Sequence, residues 1–263
     1  MARFTTLYSG SSGNCAVFEE NGRALLVDMG RSARCTKTSL AELGIAPEDL
    51  GGILVTHEHS DHVAGLKVFL KHHPVPVYAS QLTLDELVRQ QLVPPTAELI
   101  PVDGETIDIA GFGVSAFPTS HDAADCHGYR TASPKGKTLA IATDLGFVSD
   151  EVMANLYLAD IVALESNYDV HMLMTGRYPY YLKRRIASKN GHLCNEESAS
   201  AVTKLVQTGC RNIHLCHLSS ENNLPELAMQ SVREAFLQAG IVPQQDCVVR
   251  AASRYEISPV CAV

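Results

Sequence analysis

The stretch GGILVTHEHSDH, residues 51–62, decides the fold class of this 263-residue chain. Its apolar part, residues 53–55, is bounded by glycines and polar residues, a pattern that is typical of a short buried strand. Directly after it, residues 57–62 hold three histidines and one aspartate. Imidazole and carboxylate groups are ligands for zinc and for other divalent first-row metals. The stretch therefore predicts a metal site at the end of a strand.

The composition excludes several classes of protein. An apolar content of 46% and a charged content of 19% are ordinary for a globular protein, and the length allows a full hydrophobic core. The formal net charge of −8 argues against a surface with general affinity for nucleic acid. No stretch approaches the roughly 20 apolar residues of a membrane span, so we expect no membrane partner.

The cysteines and the first residues bear on the cellular compartment. Eight cysteines are scattered along the chain without a CxxC pair, and the opening residues lack the apolar core of a signal peptide. Reduced thiols are then a better interpretation than disulfides, because disulfides form in oxidising compartments. We expect a cytoplasmic protein.

Apolar strand patterns alternate with helical patterns along the chain. Helices are predicted at 38–43, 62–70, 83–91, 149–158, 196–208 and 225–239. Strands are predicted at 4–8, 15–18, 23–28, 52–55, 75–79, 112–117, 137–143 and 160–165, with two short ones at 247–250 and 255–257 closing the chain.

Further metal-ligating side chains follow later strands. His121 comes after strand 112–117, Asp144 after strand 137–143, and His217 after an apolar run at 213–215. Seven nitrogen and oxygen ligands without a cysteine fit two metal ions better than one, and a carboxylate can bridge such a pair. The predicted ligands are His57, His59, Asp61, His62, His121, Asp144 and His217.

Two segments outside this set are candidates for substrate binding. The loop at residues 9–14, with Ser11, Ser12, Gly13 and Asn14, can present backbone amides to a phosphate, although a flexible loop would have the same composition. The segment at 177–189 holds five basic residues, no acidic residue and three tyrosines. That mixture suits a polyanion with stackable bases, and a solvated helix face remains the alternative.

The motif HEHSDH, with His121, Asp144 and His217 downstream, resembles the metallo-β-lactamase superfamily. The resemblance implies a single domain over residues 1–263 with an α+β fold, a four-layered αββα sandwich. It also implies two divalent metal ions, Zn²⁺ or Mn²⁺. The residues implied for the first ion are His57, His59 and His121, those for the second are Asp61, His62 and His217, and Asp144 bridges.

Several short pieces resemble the YycJ/WalJ branch of that superfamily. They are LYSGSSGNC (7–15), SHDAADCHGY (120–129), TDLG (143–146), ESNYD (165–169), GHLCNEES (191–198) and CHLSSENN (216–223). Members of this branch are bacterial cytoplasmic proteins regarded as 5′→3′ DNA exonucleases. Glu165 and His192 are also similar to a Glu–His pair of the tRNA 3′-processing endonucleases. In those enzymes the pair assists the departure of the leaving group.

The resemblance implies hydrolysis of phosphodiester bonds in a nucleic acid, most simply DNA. Asp61 would serve both as a ligand and in catalysis, and His192, oriented by Glu165, would donate a proton to the departing oxygen. We assign Asn167 and Arg184 to substrate binding, together with the loop at residues 9–14. The chain departs from the endonucleases in lacking a tRNA-clamping arm, and from the ribonuclease J type in lacking the β-CASP insertion.

Three other functions are compatible with parts of the sequence. A glyoxalase II-like thioesterase would share the seven ligands but would have no use for Glu165, His192 or the basic segment. An RNA-processing nuclease would use all of these residues. A non-catalytic protein with a structural metal site would need no open ligand position. The true β-lactamases have a cysteine where Asp144 stands. The identity of the metal and the oligomeric state are left open.

Overall fold

The computed structural model describes all 263 residues. Its strands are β1 (Arg3–Tyr8), β2 (Cys15–Glu20), β3 (Arg23–Val27), β4 (Leu50–Leu54), β5 (Val77–Ala79), β6 (Leu99–Pro101), β7 (Ile107–Ile109), β8 (Phe112–Pro118), β9 (His127–Ala132), β10 (Thr138–Ala142), β11 (Ile161–Glu165), β12 (Asn212–Cys216), β13 (Val248–Ala251) and β14 (Cys261–Ala262). Its helices are α1 (Ala33–Glu42), α2 (Ser60–Val63), α3 (Leu66–His72), α4 (Gln81–Arg89), α5 (Asp150–Leu156), α6 (Val170–Thr175), α7 (Tyr180–Ile186), α8 (Asn195–Gln207) and α9 (Pro225–Ala239), and a short 3₁₀ turn lies at Pro47–Asp49.

The strands form two seven-stranded sheets. The first has the order β14-β1-β2-β3-β4-β5-β6, and the second has the order β13-β12-β11-β10-β9-β8-β7. A central core, which includes Phe4, Leu25, Tyr129 and Ile161, lies between the two sheets. Two outer cores join each sheet to its own helices. The four-layered αββα sandwich predicted from the sequence is therefore confirmed.

Strands near the centre of the molecule are apolar on both faces because each face is covered. In β3, Leu25 and Val27 point into the core between the sheets, whereas Ala24 and Leu26 pack under the helices of the first half. In β11, Ile161 and Ala163 face the other sheet, and Val162 and Leu164 face the helices of the second half. Burial on both faces explains why these strands appear in the sequence as continuous apolar runs.

Most predicted elements exist, with three corrections. The helix predicted at 62–70 is two helices, because the Gly65 amide donates to the Met29 carbonyl oxygen, at 2.9 Å, and not to the carbonyl four residues earlier. The strand predicted at 255–257 is absent, and the last strand is β14, which pairs antiparallel with β1. Helices α6 and α7 were not predicted.

Several strands end at the same side of the sandwich. In the first sheet, β3 and β4 run parallel, and in the second sheet β10, β11 and β12 run parallel. The carboxyl ends of parallel neighbours lie together at one edge of their sheet. Asp28, His57, Asp144, Glu165 and His217 stand at or just after these ends.

Three of these residues have an unusual backbone conformation. Asp28, Asp144 and His217 have φ of 63°, 57° and 55°, which is the left-handed region that non-glycine residues seldom adopt. Such residues persist only where the surrounding structure holds them, and they concentrate at functional sites. The sharp change of direction turns their side chains into the space at the end of the strands.

None of the helices has the length and apolar character needed to cross a membrane.

His214, in the middle of β12, predicts a pH dependence of stability. Its side chain is fully buried against Phe4, with ring centroids 4.9 Å apart, and neither ring nitrogen has a hydrogen-bond partner. Burial, and then the charge of neighbouring Arg250, lower the pKa of His214 to about 4. Because the folded-state pKa lies below the unfolded value of about 6.5, the unfolded state takes up the proton first as the pH falls.

We therefore expect His214 to reduce the free energy of unfolding as the pH falls from about 6.5 towards 4, by about 2 kcal/mol at pH 5. In His214→Leu this part of the pH dependence should disappear, whereas His72→Leu, at an exposed histidine, should keep it. Denaturant unfolding at pH 7 and pH 5 measures the difference. Identical pH dependence in the wild type and His214→Leu would contradict the prediction.

Candidate metal centre

The structure brings all seven predicted ligands together at the ends of the strands. One group consists of His57, His59 and His121, whose ligand atoms all lie within 4.8 Å of one another. His121 donates its Nδ1–H to the carbonyl oxygen of Gly191 at 2.9 Å, and this leaves its Nε2 for a metal. The Nε2 of His57 is buried and has no hydrogen-bond partner in the protein.

The second group consists of Asp61, His62 and His217, again with all ligand atoms within 4.8 Å. The Oδ2 atom of Asp61 lies 3.3 Å from His217 Nε2 and 3.6 Å from His62 Nε2. Both imidazoles therefore present the same type of nitrogen to one carboxylate. A cation at this point would have two imidazoles and one carboxylate around it.

Asp144 lies between the two groups. Its Oδ2 is 3.2 Å from His62 Nε2, and its Oδ1 is 3.7 Å from His121 Nε2. One carboxylate thus reaches a histidine of each group, as a bridging ligand must. Its side chain is buried, where an uncompensated carboxylate is costly, and a cation bound between the two groups would compensate its charge.

The two carboxylates of the cluster and His57 have protonation preferences that suit bound cations. Burial opposes ionisation of Asp61, yet His62 and His217 lower its pKa to about 2. Burial likewise opposes ionisation of Asp144, and the same two histidines keep its pKa well below the ordinary value. Burial lowers the pKa of His57, which leaves a neutral imidazole with a free lone pair. A His/Asp cluster with these properties fits a dinuclear metal site.

Acceptors outside the ligand set hold the ligand rings in place. Asp28 is buried and accepts from His62 Nδ1 at 2.7 Å and from the Thr56 amide at 2.8 Å. Glu165 accepts from His217 Nδ1 at 2.9 Å. Partners of this kind select the tautomer that presents Nε2 to the metal and raise the basicity of the ligand.

Glu165 also binds His192. Its Oε1 atom accepts from His192 Nδ1 at 2.8 Å, and its Oε2 accepts from the Leu145 amide at 2.9 Å. Burial opposes ionisation of Glu165, but the two histidines lower its pKa below the ordinary value. With Nδ1 engaged, the free nitrogen of His192 is Nε2. The two predicted catalytic residues are therefore in contact beside the metal ligands, as the sequence resemblance implies.

The ligands open into a cavity of about 240 Å³. Ser11 and Asn167 line it, as do Tyr178, Leu182 and Arg185 from the region of α7. Asn167 donates its side-chain N–H to the carbonyl oxygen of His217 at 2.8 Å, so it supports a ligand as well as facing the cavity.

The basic segment contributes a different arginine from the predicted one. Arg184 does not line the cavity, and its guanidinium lies 6.0 Å from the ring centroid of the exposed Tyr180. Arg185 lines the cavity and pairs with Asp122, with Arg185 Nη2 at 2.8 Å from Asp122 Oδ1. Neighbouring positions on a helix differ by about 100° in direction, and the sequence does not show which one faces the site.

The loop at residues 9–14, called the glycine loop below, is held in place by hydrogen bonds of its own amides, so it is not a set of free donors. The amide of Gly10 donates to the Asn14 side chain, that of Gly13 donates to the Gly10 carbonyl, and that of Asn14 donates to the Asp61 carbonyl. Asn14 is buried, with its Nδ2 3.3 Å from His62 Nε2. The amides of Ser11 and Ser12 remain available for an anion.

Asp28 is the supporting residue that the sequence patterns missed. A lone aspartate after an apolar strand carries no signal by itself, although its position at the end of β3 is equivalent to that of the ligands. We expect Asp28→Ala to weaken metal binding by about 10- to 100-fold, because His62 loses the acceptor that orients it.

Titration of the metal-free protein with Zn²⁺ or Mn²⁺ against a competing chelator measures this effect. Asp103→Ala is the matched control, because Asp103 is exposed and its side chain makes no hydrogen bond. A metal affinity of Asp28→Ala within twofold of the wild type would show that Asp28 does not support the site.

Comparison with known proteins identifies relatives over most of the chain. Residues 23–215 match the family model described as a beta-lactamase superfamily domain. The exodeoxyribonuclease YycJ of Bacillus anthracis is 38% identical over 240 residues, which cover 90% of both chains. The exodeoxyribonuclease WalJ of Streptococcus pneumoniae is 36% identical over 242 residues, covering 91% of this chain and 90% of the relative.

Other matches are more distant or partial. The metallo-beta-lactamase fold protein YhfI of Bacillus subtilis superposes with a TM-score of 0.72 over 98% of both chains, at 17% identity, which shows the shared fold. The hydroxyacylglutathione hydrolase of Hahella chejuensis is 36% identical over only 37% of this chain. The resemblance seen in the sequence is confirmed, and the chain belongs to the metallo-β-lactamase superfamily, in the family that contains YycJ and WalJ.

Proposed function

We propose that this protein is a dinuclear metal-dependent exodeoxyribonuclease that degrades DNA in the 5′→3′ direction. The observation that carries the proposal is the Glu165–His192 pair, which stands beside seven metal-ligating side chains in one cavity. Hydrolysis at the cluster alone would not need this pair. The names of the two relatives, both exodeoxyribonucleases, support DNA as the substrate.

The ligand set has a defined role in this reaction. His57, His59 and His121 would hold one ion, and Asp61, His62 and His217 the other, with Asp144 between them. When bound, two divalent ions activate water and stabilise charge on phosphoryl oxygens. Imidazole and carboxylate ligands accept both zinc and manganese, and we propose that either ion can fill the site.

The chain itself provides the proton for the leaving group. Glu165 fixes His192 through Nδ1, so that Nε2 is the nitrogen able to carry a proton into the cavity. A departing alkoxide is a strong base, and protonation of its oxygen as the P–O bond breaks contributes about 10²–10⁴ in rate. Arg185 and Tyr178 form the wall of the cavity from the side of α7 and would meet the strand as it enters.

The remaining proposals concern the setting of the enzyme. We propose one domain over residues 1–263, because the central core joins residues from Phe4 to Cys261. We also propose a cytoplasmic location, which the eight unpaired cysteines support, seven of them buried. The thioesterase alternative rests on matches that cover little more than a third of the chain.

Digestion of labelled oligonucleotides tests the function. DNA and RNA strands of equal sequence, single- or double-stranded, are incubated with the Mn²⁺- or Zn²⁺-loaded protein, and the products are resolved over time. We expect mononucleotides to be released from the 5′ end of DNA, and hydroxyacylglutathione to remain intact. Preferred cleavage of RNA, or thioester turnover without nuclease activity, would replace the proposal by the corresponding alternative.

His192 provides the sharpest test of the mechanism. We expect His192→Ala to lower kcat on DNA by about 10²–10⁴, with metal content unchanged, because the proton donor is lost while all seven ligands remain. His171→Ala, at an exposed histidine on α6, is the control and should retain wild-type kcat. A kcat of His192→Ala within twofold of the wild type would disprove this role.

A further inference from the structure

Two arginines without an acidic partner flank the glycine loop beside the metal cavity. The guanidinium of Arg31 lies between two aromatic rings, 5.5 Å from the ring centroid of Tyr8 and 5.5 Å from that of Tyr255. Only the backbone amide of Arg31 makes a hydrogen bond, to Tyr8 Oη. The five donors of its planar side chain are therefore unused, and the side chain is held by its contacts with the two aromatic rings.

Arg254 lies beside the same loop, near Gly10. One of its terminal nitrogens donates to the carbonyl oxygens of Leu218 and Ser219, at 3.4 and 2.9 Å, and its Nε is buried without a partner. No carboxylate pairs with it. In a chain with a net charge of −8, a partly buried arginine without an acid is unusual, because desolvating the charge is costly unless a counter-charge is present.

The loop brings both arginines to one place. A Cβ at Gly13 would lie 2.3 Å from Arg31 Cγ, and a Cβ at Gly10 would lie 3.5 Å from Arg254 Nε. Ser11 and Ser12 stand between these two glycines, are exposed, and keep their amides and hydroxyls free. Ser11 also lines the metal cavity. The two cations and the free donors therefore lie around one loop, and Ser11 connects that loop to the metal cavity.

We propose that Arg31 and Arg254, with Ser11 and Ser12, bind the terminal phosphate monoester of the substrate strand. The proposal rests on the proposed nuclease function and extends it to the recognition of the strand end. A terminal monoester carries close to two negative charges near neutral pH, whereas an internal phosphodiester carries one. Two guanidinium groups match the dianion, and guanidinium–phosphate hydrogen bonds are strong and directional.

The test compares strand ends. Kinetics are measured on 5′-phosphorylated, 5′-hydroxyl and 3′-phosphorylated DNA of one sequence, with the wild type, Arg31→Gln, Arg31→Lys and the control Arg34→Gln. Arg34 is exposed at the start of α1, so Arg34→Gln removes the same charge at a position outside the loop. The measured quantity is the ratio of kcat/KM for an end-phosphorylated substrate to kcat/KM for the 5′-hydroxyl substrate. We expect Arg31→Gln to lower this ratio at least tenfold, and Arg31→Lys to restore part of it.

The outcomes separate the two proposals. A reduced ratio for one phosphorylated end supports the site and identifies that end. An unchanged ratio, or the same reduction in Arg34→Gln, overturns it, and metal content and thermal unfolding exclude misfolding as the cause. If the wild type cleaves none of the DNA substrates, the proposed function fails. Calorimetric titration with inorganic phosphate then tests the site alone, through a binding event that Arg31→Gln lacks.

Discussion

One buried carboxylate, that of Glu165, holds the centre together. It accepts hydrogen bonds from the predicted metal ligand His217, from His192 and from the amide of Leu145, and it is fully buried. An isolated carboxylate in this position would cost several kcal/mol, so it stays ionised only while these donors surround it. The end of β11, the end of β12 and the loop after α7 therefore keep a fixed relation to one another. The candidate metal site and His192, the proposed proton donor, therefore share one support.

The parts of the site that sequence could predict are those in which one strand delivers one ligand. His57, His121, Asp144 and His217 follow apolar runs, and an apolar run followed by a metal-binding side chain is visible without a structure. This pattern is reliable because a strand covered on both faces is a continuous run of apolar residues, and parallel strands end at a common edge of the sheet. The local patterns also predicted most strands and helices, whereas the four layers were predicted from the resemblance to the metallo-β-lactamase superfamily.

The parts that could not be predicted depend on contacts between distant segments. Asp28 acts through His62, 34 positions along the chain, and no local pattern marks that pairing. The rotation of the short helix α7 about its own axis decides which of its arginines faces the cavity. Arg185 lines the cavity in the structure, and Arg184 does not. The last strand adds to the edge of the first sheet beside β1, and two residues are too few to show a period.

The left-handed backbone at Asp28, Asp144 and His217 has a consequence for the exchange of metals. Ordinary contacts within the protein hold these turns, such as the bond from the Asp28 amide to the Leu54 carbonyl and that from the His217 amide to Ser9 Oγ. Each such turn costs on the order of 1–3 kcal/mol, and that cost is met when the chain folds. A centre whose shape is set in advance by the scaffold can be emptied and refilled without refolding.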